Sequence, residues 1–337
     1  MGWKDAKCQT LDFEPLDKDV IGYNAIVTTE SASAGAAIVQ GTGGVWHMWV
    51  TEIAKNCGYP SWKTNSMISY ASSTSLAGPY AKKDDLFGPF ASTPKAVKAP
   101  SGEYVLYISA FVDPLSQRVD ANADTNVCDC SITHPNKRLY AKMWTWCNET
   151  RTDVTEATYM TWTKTPSDLT SYSPFVRIYQ PEDHLQTLHA MYSPLILPER
   201  KYLISEYRWK CPKNIFRGEP STYEFFGANI FGTNFMSAKD GLEDPSLYRD
   251  PNGVFHAFIV NRIGGYSILH AYSTDFTTWT STGTAYANSL AFTDNTQGVF
   301  PACVRPFAVM DMITGSLKAF TTACAIGVSL AAGTYSS

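Results

Sequence analysis

Three acidic residues sit where acids are costly. Glu52 ends the run Trp46-His47-Met48-Trp49-Val50-Thr51, Glu206 ends Tyr202-Leu203-Ile204-Ser205, and Asp244 follows Leu242-Glu243 just before Pro245-Ser246-Leu247-Tyr248. Each falls in an apolar or aromatic stretch of strand character, where an unpaired carboxylate is expensive to bury. Two roles follow. Gathered in one pocket, a protonated carboxyl and an ionised carboxylate do general acid–base or nucleophilic work. Paired off with Arg208, Arg262 or Arg305, the same acids simply hold strands together. In the first case Arg305 orients one of the acids, and Glu243 joins it in contacting the bound group. Glu182-Asp183-His184, with His189 five residues on, is either an acid-bearing loop that adds His189 to that site or a solvated surface loop.

The elements that must position these residues are strands. Short runs of Val, Ile, Tyr, Trp and Thr alternate with Gly, Pro, Asn and Ser clusters, and helical periodicity is scarce. A hairpin recurs. Gly44-Val45-Trp46-His47-Met48-Trp49, Gly102-Glu103-Tyr104-Val105-Leu106-Tyr107 and Gly253-Val254-Phe255-His256-Ala257-Phe258 each read as a turn glycine, an aromatic two residues on, and another three after that. Arg200–Ile204 and Gly315–Phe320 are degenerate copies. Anchors at Trp46, Tyr104, Tyr202, Phe255 and Leu317 lie 58, 98, 53 and 62 residues apart. An X-Pro pair precedes four of the turns: Thr93-Pro94, Ser193-Pro194, Asp244-Pro245 and Arg305-Pro306. Ser33-Ala34-Gly35 takes that place in the first copy. Ser/Thr-ended strands follow at Ile68–Thr74, Met160–Thr165 and Leu269–Thr274.

Five copies of an antiparallel unit, none able to bury both faces alone, predict an all-β five-bladed propeller. The whole chain, 1–337, reads as one domain. Its longest interval holds an insertion in the second blade at about 113–150, which carries Cys128, Cys130 and Cys147. A two-sheet sandwich is the competing architecture. The innermost strands are expected to begin at the X-Pro pairs, with the residue before each proline aimed at the axis. Gly41-Thr42-Gly43-Gly44 lacks the helix and lysine of a phosphate loop and reads as a turn. His47 and His256 hold the same place in two repeats, which favours a structural role.

A formal net charge of −4 without a basic block argues against nucleic acid, and no apolar run approaches a membrane span. With 44% hydrophobic and 17% charged residues, the chain is also too apolar to be disordered. Eight cysteines point to disulfides and an oxidising compartment, and the sequon Asn148-Glu149-Thr150 agrees with secretion. Met1–Asp5 is no signal peptide, so a leader has been removed or the export route is not visible. Cys303 and Cys324 lie symmetrically about a Thr314-Gly315 turn and are expected to bridge. The partners of Cys8, Cys57 and Cys211 stay open. A zinc site built on Cys128, Cys130 and His134 lacks a second close pair.

Trp46–Glu52, Asn65–Ala71, Gly78-Pro79-Tyr80 and Leu242–Asp250, followed by Gly253 and Phe255-His256, resemble glycoside hydrolase family 43-like proteins. The wider group comprises the propeller arabinanases, xylosidases, levansucrases and invertases, and the likeness covers roughly residues 25 to 325. It implies a sugar at the mouth of a central channel and three acids that serve as base or nucleophile, as general acid and as modulator. Here the chain departs from the family. An Asp normally opens the innermost strand of the first blade, where this chain has Ser33-Ala34-Gly35, and another is expected where Ser193-Pro194 stands. Glu52, Asp244 and Glu206 become the candidate catalytic acids. Glu243, Arg305, Trp49, Trp209 and His189 are the candidate sugar contacts, with Trp49, Trp62 or Trp209 stacking on a ring unless they are packing residues. The function expected is a secreted glycoside hydrolase acting on plant or algal carbohydrate. The alternative is a non-catalytic carbohydrate-binding or structural module that has lost the acid triad. No cofactor is specified. The resemblance allows a calcium ion in the channel, but no ligand spacing demonstrates one.

Overall fold

The structure, a computed structural model, describes residues 2–3, 11–12, 32–53, 66–87, 91–110, 157–179, 190–196, 201–207, 214–217, 224–227, 242–261, 266–286, 289–300 and 302–324. Among the described residues the elements are strands, with single-turn 3-10 segments at Thr42–Gly44 and Leu169–Ser171. After a short hairpin of β1 (Gly2–Trp3) and β2 (Leu11–Asp12) come three four-stranded antiparallel sheets in chain order. The first holds β3 (Ala32–Gln40), β4 (Trp46–Ile53), β5 (Ser66–Ser73) and β6 (Ala81–Phe87). The second holds β7 (Ala91–Lys98), β8 (Tyr104–Ala110), β9 (Ala157–Thr163) and β10 (Val176–Tyr179). The third holds β11 (Ala190–Ile196), β12 (Lys201–Tyr207), β13 (Asn214–Arg217) and β14 (Glu224–Gly227).

A fourth four-stranded sheet follows: β15 (Leu242–Arg249), β16 (Phe255–Asn261), β17 (Ser267–Ser273) and β18 (Thr280–Tyr286). The hairpin of β19 (Ser289–Ala291) and β20 (Gln297–Val299) leads to β21 (Cys303–Met310), which pairs with β22 (Leu317–Cys324). The first strands pack in a cycle: β3 on β7, β7 on β11, β11 on β15, β15 on β21, and β21 back on β3.

The five repeat anchors fall where the hairpin pattern predicted. Trp46, Tyr104, Phe255 and Leu317 open β4, β8, β16 and β22, and Tyr202 is the second residue of β12. The second strands β8 and β16 are sequestered on both faces. Every residue of β8, Tyr-Val-Leu-Tyr-Ile-Ser-Ala, and of β16, Phe-His-Ala-Phe-Ile-Val-Asn, is buried, and both read as nearly continuous apolar runs. The outer strands β6 and β18 carry Lys, Asp, Ser and Thr and stay largely exposed. The glycine-rich stretch is a turn as expected: Gly41 N–H donates to Val45 O at 2.7 Å, and Gly43 and Gly44 take φ of 69° and 80°. β8 and β9 pair at Ala110↔Ala157, and the expected Cys-bearing insertion between them lies outside the described residues.

Between the first and second sheets sits a core of Trp49, Tyr70, Leu86, Phe87, Leu106 and Ile108, extended by Phe307 and Val309 of β21. Ala308 N–H donates to Ser246 Oγ at 2.9 Å and stitches β21 to β15. Cys303 and Cys324 face each other in register across β21 and β22 and form a disulfide. This bridge closes a loop with a sequence separation of 21, so chain entropy assigns it about 3 kcal/mol. The Cys303→Ser/Cys324→Ser pair is therefore expected to lose about that much in a urea titration, whereas a loss under about 1 kcal/mol would mean that the β21–β22 pairing holds without it.

Candidate functional site

Four of the five first strands carry one extra residue at the same place. Between Ser33 and Ala36, Ser92 and Lys95, Glu243 and Ser246, and Val304 and Phe307, the partner strand advances one residue fewer. These are β-bulges, and the bulged backbone is left-handed: φ is 92° at Gly35, 56° at Thr93, 54° at Asp244 and 56° at Arg305. Three are non-glycine residues in a region that L-residues avoid, and such strain persists where packing over-determines it. β11 differs, because Ser193 and Pro194 pair in unbroken register with Ile204 and Leu203. The first strands thus start two or more residues before the X-Pro pairs, a correction to the expectation that they begin there. In β7, β15 and β21 the proline, which lacks a donor, sits in the bulge, where the ladder loses a bond in any case.

The bulges collect a charged cluster. Asp244, 3% exposed, accepts from the Arg305 main-chain N–H through Oδ2 at 3.2 Å. Its other oxygen, Oδ1, is buried and has no hydrogen-bond partner among the described residues. Arg305 is 2% exposed, and its stem lies where a side chain on Gly35 would go: a Cβ there would stand 2.9 Å from Arg305 Cδ. Lys95, 4% exposed, donates from Nζ to Pro306 O at 2.8 Å, with the Phe307 ring 5.7 Å away. Burial pulls its ammonium down to about 8, the Asp244 carboxylate opposes that shift, and Arg305 adds to it. Thr93 N–H donates to Thr51 Oγ1 at 3.0 Å, which ties the second bulge to β4.

Glu52 is held elsewhere. It is 1% exposed and accepts from Ser69 Oγ and Lys82 Nζ, both at 2.5 Å. Ser69 Oγ also lies 2.7 Å from Asp85 Oδ1, and Lys82 reaches the same Asp85 oxygen at 2.5 Å. Burial works against the Lys82 charge, but hydrogen bonds to Asp85 and Glu52 outweigh it and raise its pKa. Among the described residues the cation paired with Glu52 is Lys82 on the outer strand β6; of the arginines that the sequence suggested, Arg208 and Arg262 lie outside the described residues.

No protein-family model and no curated protein sequence matches the chain. Solved structures do resemble it. The α-L-arabinofuranosidase PaAbf62A from Podospora anserina, in complex with cellotriose, is similar over 88% of this chain and 82% of its own, with a TM-score of 0.53 and 8% identity. Xyloglucan PUL GH43B from Bacteroides ovatus is similar over 89% of this chain, with a TM-score of 0.52 and 9% identity; this chain spans 48% of its length. Zg3597, a family 117 glycoside hydrolase from the marine bacterium Zobellia galactanivorans, gives a TM-score of 0.50 over 87% of this chain and 83% of its own, at 12% identity.

The fold is that of the family 43-like propeller glycoside hydrolases. Within this propeller the Arg305 main-chain N–H meets Asp244, and Lys95, which sequence reasoning missed, ends on the neighbouring Pro306 carbonyl. Its signal was a lysine among small and apolar residues, Ala91-Ser92-Thr93-Pro94-Lys95-Ala96-Val97, on a strand that had to face the interior. Trp49 is a correction. It is 0% exposed, donates from Nε1 to Tyr172 Oη at 2.9 Å and packs edge-on against Tyr70, so neither face is open to a sugar. Glu206 pairs in register with Met191, and Glu243 with Val260, but their side chains lie outside the described set. His189, Trp209, Trp62 and Glu182–His184 also lie outside the described residues.

The histidines are structural, as their repeat position implied. His47 Nδ1 is 2.7 Å from Tyr70 Oη, and burial lowers its pKa to about 4. His256 stacks on Tyr248 and shares a 2.9 Å hydrogen bond with His270, whose other nitrogen meets Thr282 Oγ1 at 2.8 Å.

Proposed function

We propose that the chain is a secreted five-bladed propeller that recognises carbohydrate and does not cleave it through the family's acid triad. The observation that carries this reading is the Gly35–Arg305 contact. Where the resemblance expects an acid at the head of the first innermost strand, the chain has a glycine, and an arginine stem fills the space. Glu52, the nearest replacement, is engaged by Lys82 and Ser69 and makes a poor nucleophile or proton donor. Asp244 Oδ1 is a buried acceptor with no protein donor among the described residues, and a sugar hydroxyl is the kind of donor it would take where the ring interior opens to ligand. The cycle of five first strands supports the blade count. The Cys303–Cys324 bridge and the Asn148 sequon support secretion. A plant or algal glycan is the ligand class suggested by the enzymes that share the fold, one of which was solved with cellotriose.

A second reading has one specific observation in its favour. That same unbonded Asp244 oxygen, on a strained bulge, fits a carboxylate kept for chemistry. One experiment separates the two readings. Binding to arabinan, xylan, galactan and fructan is measured by affinity electrophoresis beside release of reducing sugar from each. Retardation by at least one glycan without release, weakened on the order of tenfold in Asp244→Asn, is the expected result. Release that disappears in Asp244→Asn would replace this reading with hydrolysis.

A further inference from the structure

Of the aromatic side chains among the described residues, two are exposed, and they hold the same place in the repeat. Trp162 and Tyr272, each 37% exposed, are the next-to-last residues of the third strands β9 and β17. Residues 161–168 and 271–278 run through the same order of burial: the first, third and sixth of each are buried and the rest are exposed. The turn below each ring is also built alike. The hydroxyl after the aromatic takes the N–H two residues on, Thr165 N–H to Thr163 Oγ1 at 3.0 Å and Asp275 N–H to Ser273 Oγ at 3.3 Å. A second aromatic pins the turn from behind: Tyr172 Oη donates to Pro166 O at 2.9 Å, and Trp279 Nε1 to Phe276 O at 3.2 Å. The Trp162 main chain is held further by Ser173, whose Oγ accepts its N–H at 3.1 Å and whose own N–H donates to its carbonyl at 2.9 Å. Each exposed ring thus stands on a fixed base.

Neither ring continues an apolar surface. Beside Trp162 the exposed residues are Lys164, Thr165, Ser167 and Asp168; beside Tyr272 they are Thr274, Asp275, Thr277 and Thr278. The core of a protein interface calls for contiguous apolar side chains with few charges, and these strips offer one ring each. A sugar asks for the other combination: an aromatic face under its C–H side, with hydroxyls, amines or carboxylates around it for its own hydroxyls. We propose that Trp162 and Tyr272 are two equivalent surface subsites that stack on sugar residues of a glycan polymer, an inference that rests on the carbohydrate reading and gives the polymer a second place to bind. Strand register separates these subsites from the bulges. Trp162 aligns through Val105 with Val97, four residues past Thr93, and Tyr272 aligns through His256 with Tyr248, four residues past Asp244. Each ring therefore lies about 13 Å beyond its bulge along the blade, and two strands, about 10 Å, outward. A sugar residue held by Asp244 touches neither ring, whereas a polymer reaches past the mouth to the far rim and gains from holding on at several points.

The test is affinity electrophoresis on arabinan, xylan, galactan and fructan with wild type, Trp162→Ala, Tyr272→Ala, the double variant and Trp162→Phe, beside their thermal midpoints. Each alanine variant is expected to weaken retardation by the bound polymer about three- to tenfold, and the double variant by more. Trp162→Phe, which keeps a ring, should lose less than Trp162→Ala. Midpoints should stay within about 2 °C of wild type, because both side chains are exposed. A polymer that retards wild type and the double variant alike would overturn the inference and leave the carbohydrate reading standing. Absence of retardation of wild type by all four would remove both. Weakened retardation with a midpoint lowered by more than about 5 °C would assign the rings to packing, and so would overturn the inference too. Unchanged retardation with a wild-type dimer that sediments as a monomer in the double variant would make the strip a contact between two copies of the chain instead.

Discussion

Gly35→Asp, the substitution that would put an acid back where the resemblance expects one, is expected to unfold the ring before it creates a hydrolase. Two costs add. At φ of 92° any side chain is strained, by about 1–2 kcal/mol for an L-residue in the left-handed region. The new Cβ would also stand 2.9 Å from Cδ and 3.0 Å from Cβ of Arg305, and the near end of that side chain cannot swing away as its tip can. Overpacking of this kind costs about 1–3 kcal/mol. The sum, on the order of 2–5 kcal/mol, is a large part of the net stability of an ordinary domain. Urea midpoints check it, with an internal control. Gly35→Asp/Arg305→Ala removes the 2.9 Å contact with Cδ and keeps both the 3.0 Å contact with Cβ and the backbone strain, so Gly35→Asp should cost less in the Arg305→Ala background than in wild type, though not nothing. Full stability in Gly35→Asp, or sugar release appearing with it, would show that the Gly35–Arg305 contact does not close this position to an acid.

Acid should weaken the protein steeply through its buried histidines. His270 lies between His256 and Thr282 and stacks on Phe258, and burial, with His256 adding to it, lowers its pKa to about 3. His256 is lowered as well, by burial first and against the pull of Asp250. The sign follows from proton counting. Between the unfolded value near 6.5 and the depressed folded value, the unfolded chain holds the extra proton, so stability is complete above about 6.5 and is lost as pH falls. His270 alone accounts for about 3 kcal/mol by pH 4. Urea midpoints at pH 7, 5.5 and 4 should fall in that order. His270→Phe is expected to be weaker at pH 7, because it removes the imidazole hydrogen bonds to His256 Nδ1 and Thr282 Oγ1, and to show a shallower decline. A decline of unchanged steepness in that variant would assign acid sensitivity to other groups, His47 first.

The division between what could be read from the chain and what could not follows the range of the forces involved. Strand identity, the repeat anchors, the turn glycines and the Cys303–Cys324 register were legible because each depends on neighbours within one hairpin. The Thr-Pro, Asp-Pro and Arg-Pro pairs were legible as a recurring feature, but as strand starts; that they are bulges with left-handed residues depends on register against a second strand. Glu52 could be recognised as an acid needing an explanation, yet Lys82 of β6, 30 residues on, was not among the cations that the repeat offered for it. Trp49 carried the same composition signal as a stacking platform and proved to be core, since one tryptophan in an aromatic strand looks like another until the next sheet is packed on it.

The amino-acid sequence by itself determined the all-β class, the repeat, the turns and the Cys303–Cys324 bridge, because hydrophobic alternation and turn chemistry act over a few residues. Only the tertiary structure decided that Gly35 makes room for Arg305, that Asp244 sits under the Arg305 amide 61 residues away, and that Lys95 crosses to Pro306. Those contacts join different sheets around a ring. No local propensity specifies which side chains meet there; closure of the ring does, once the bulges have turned them inward.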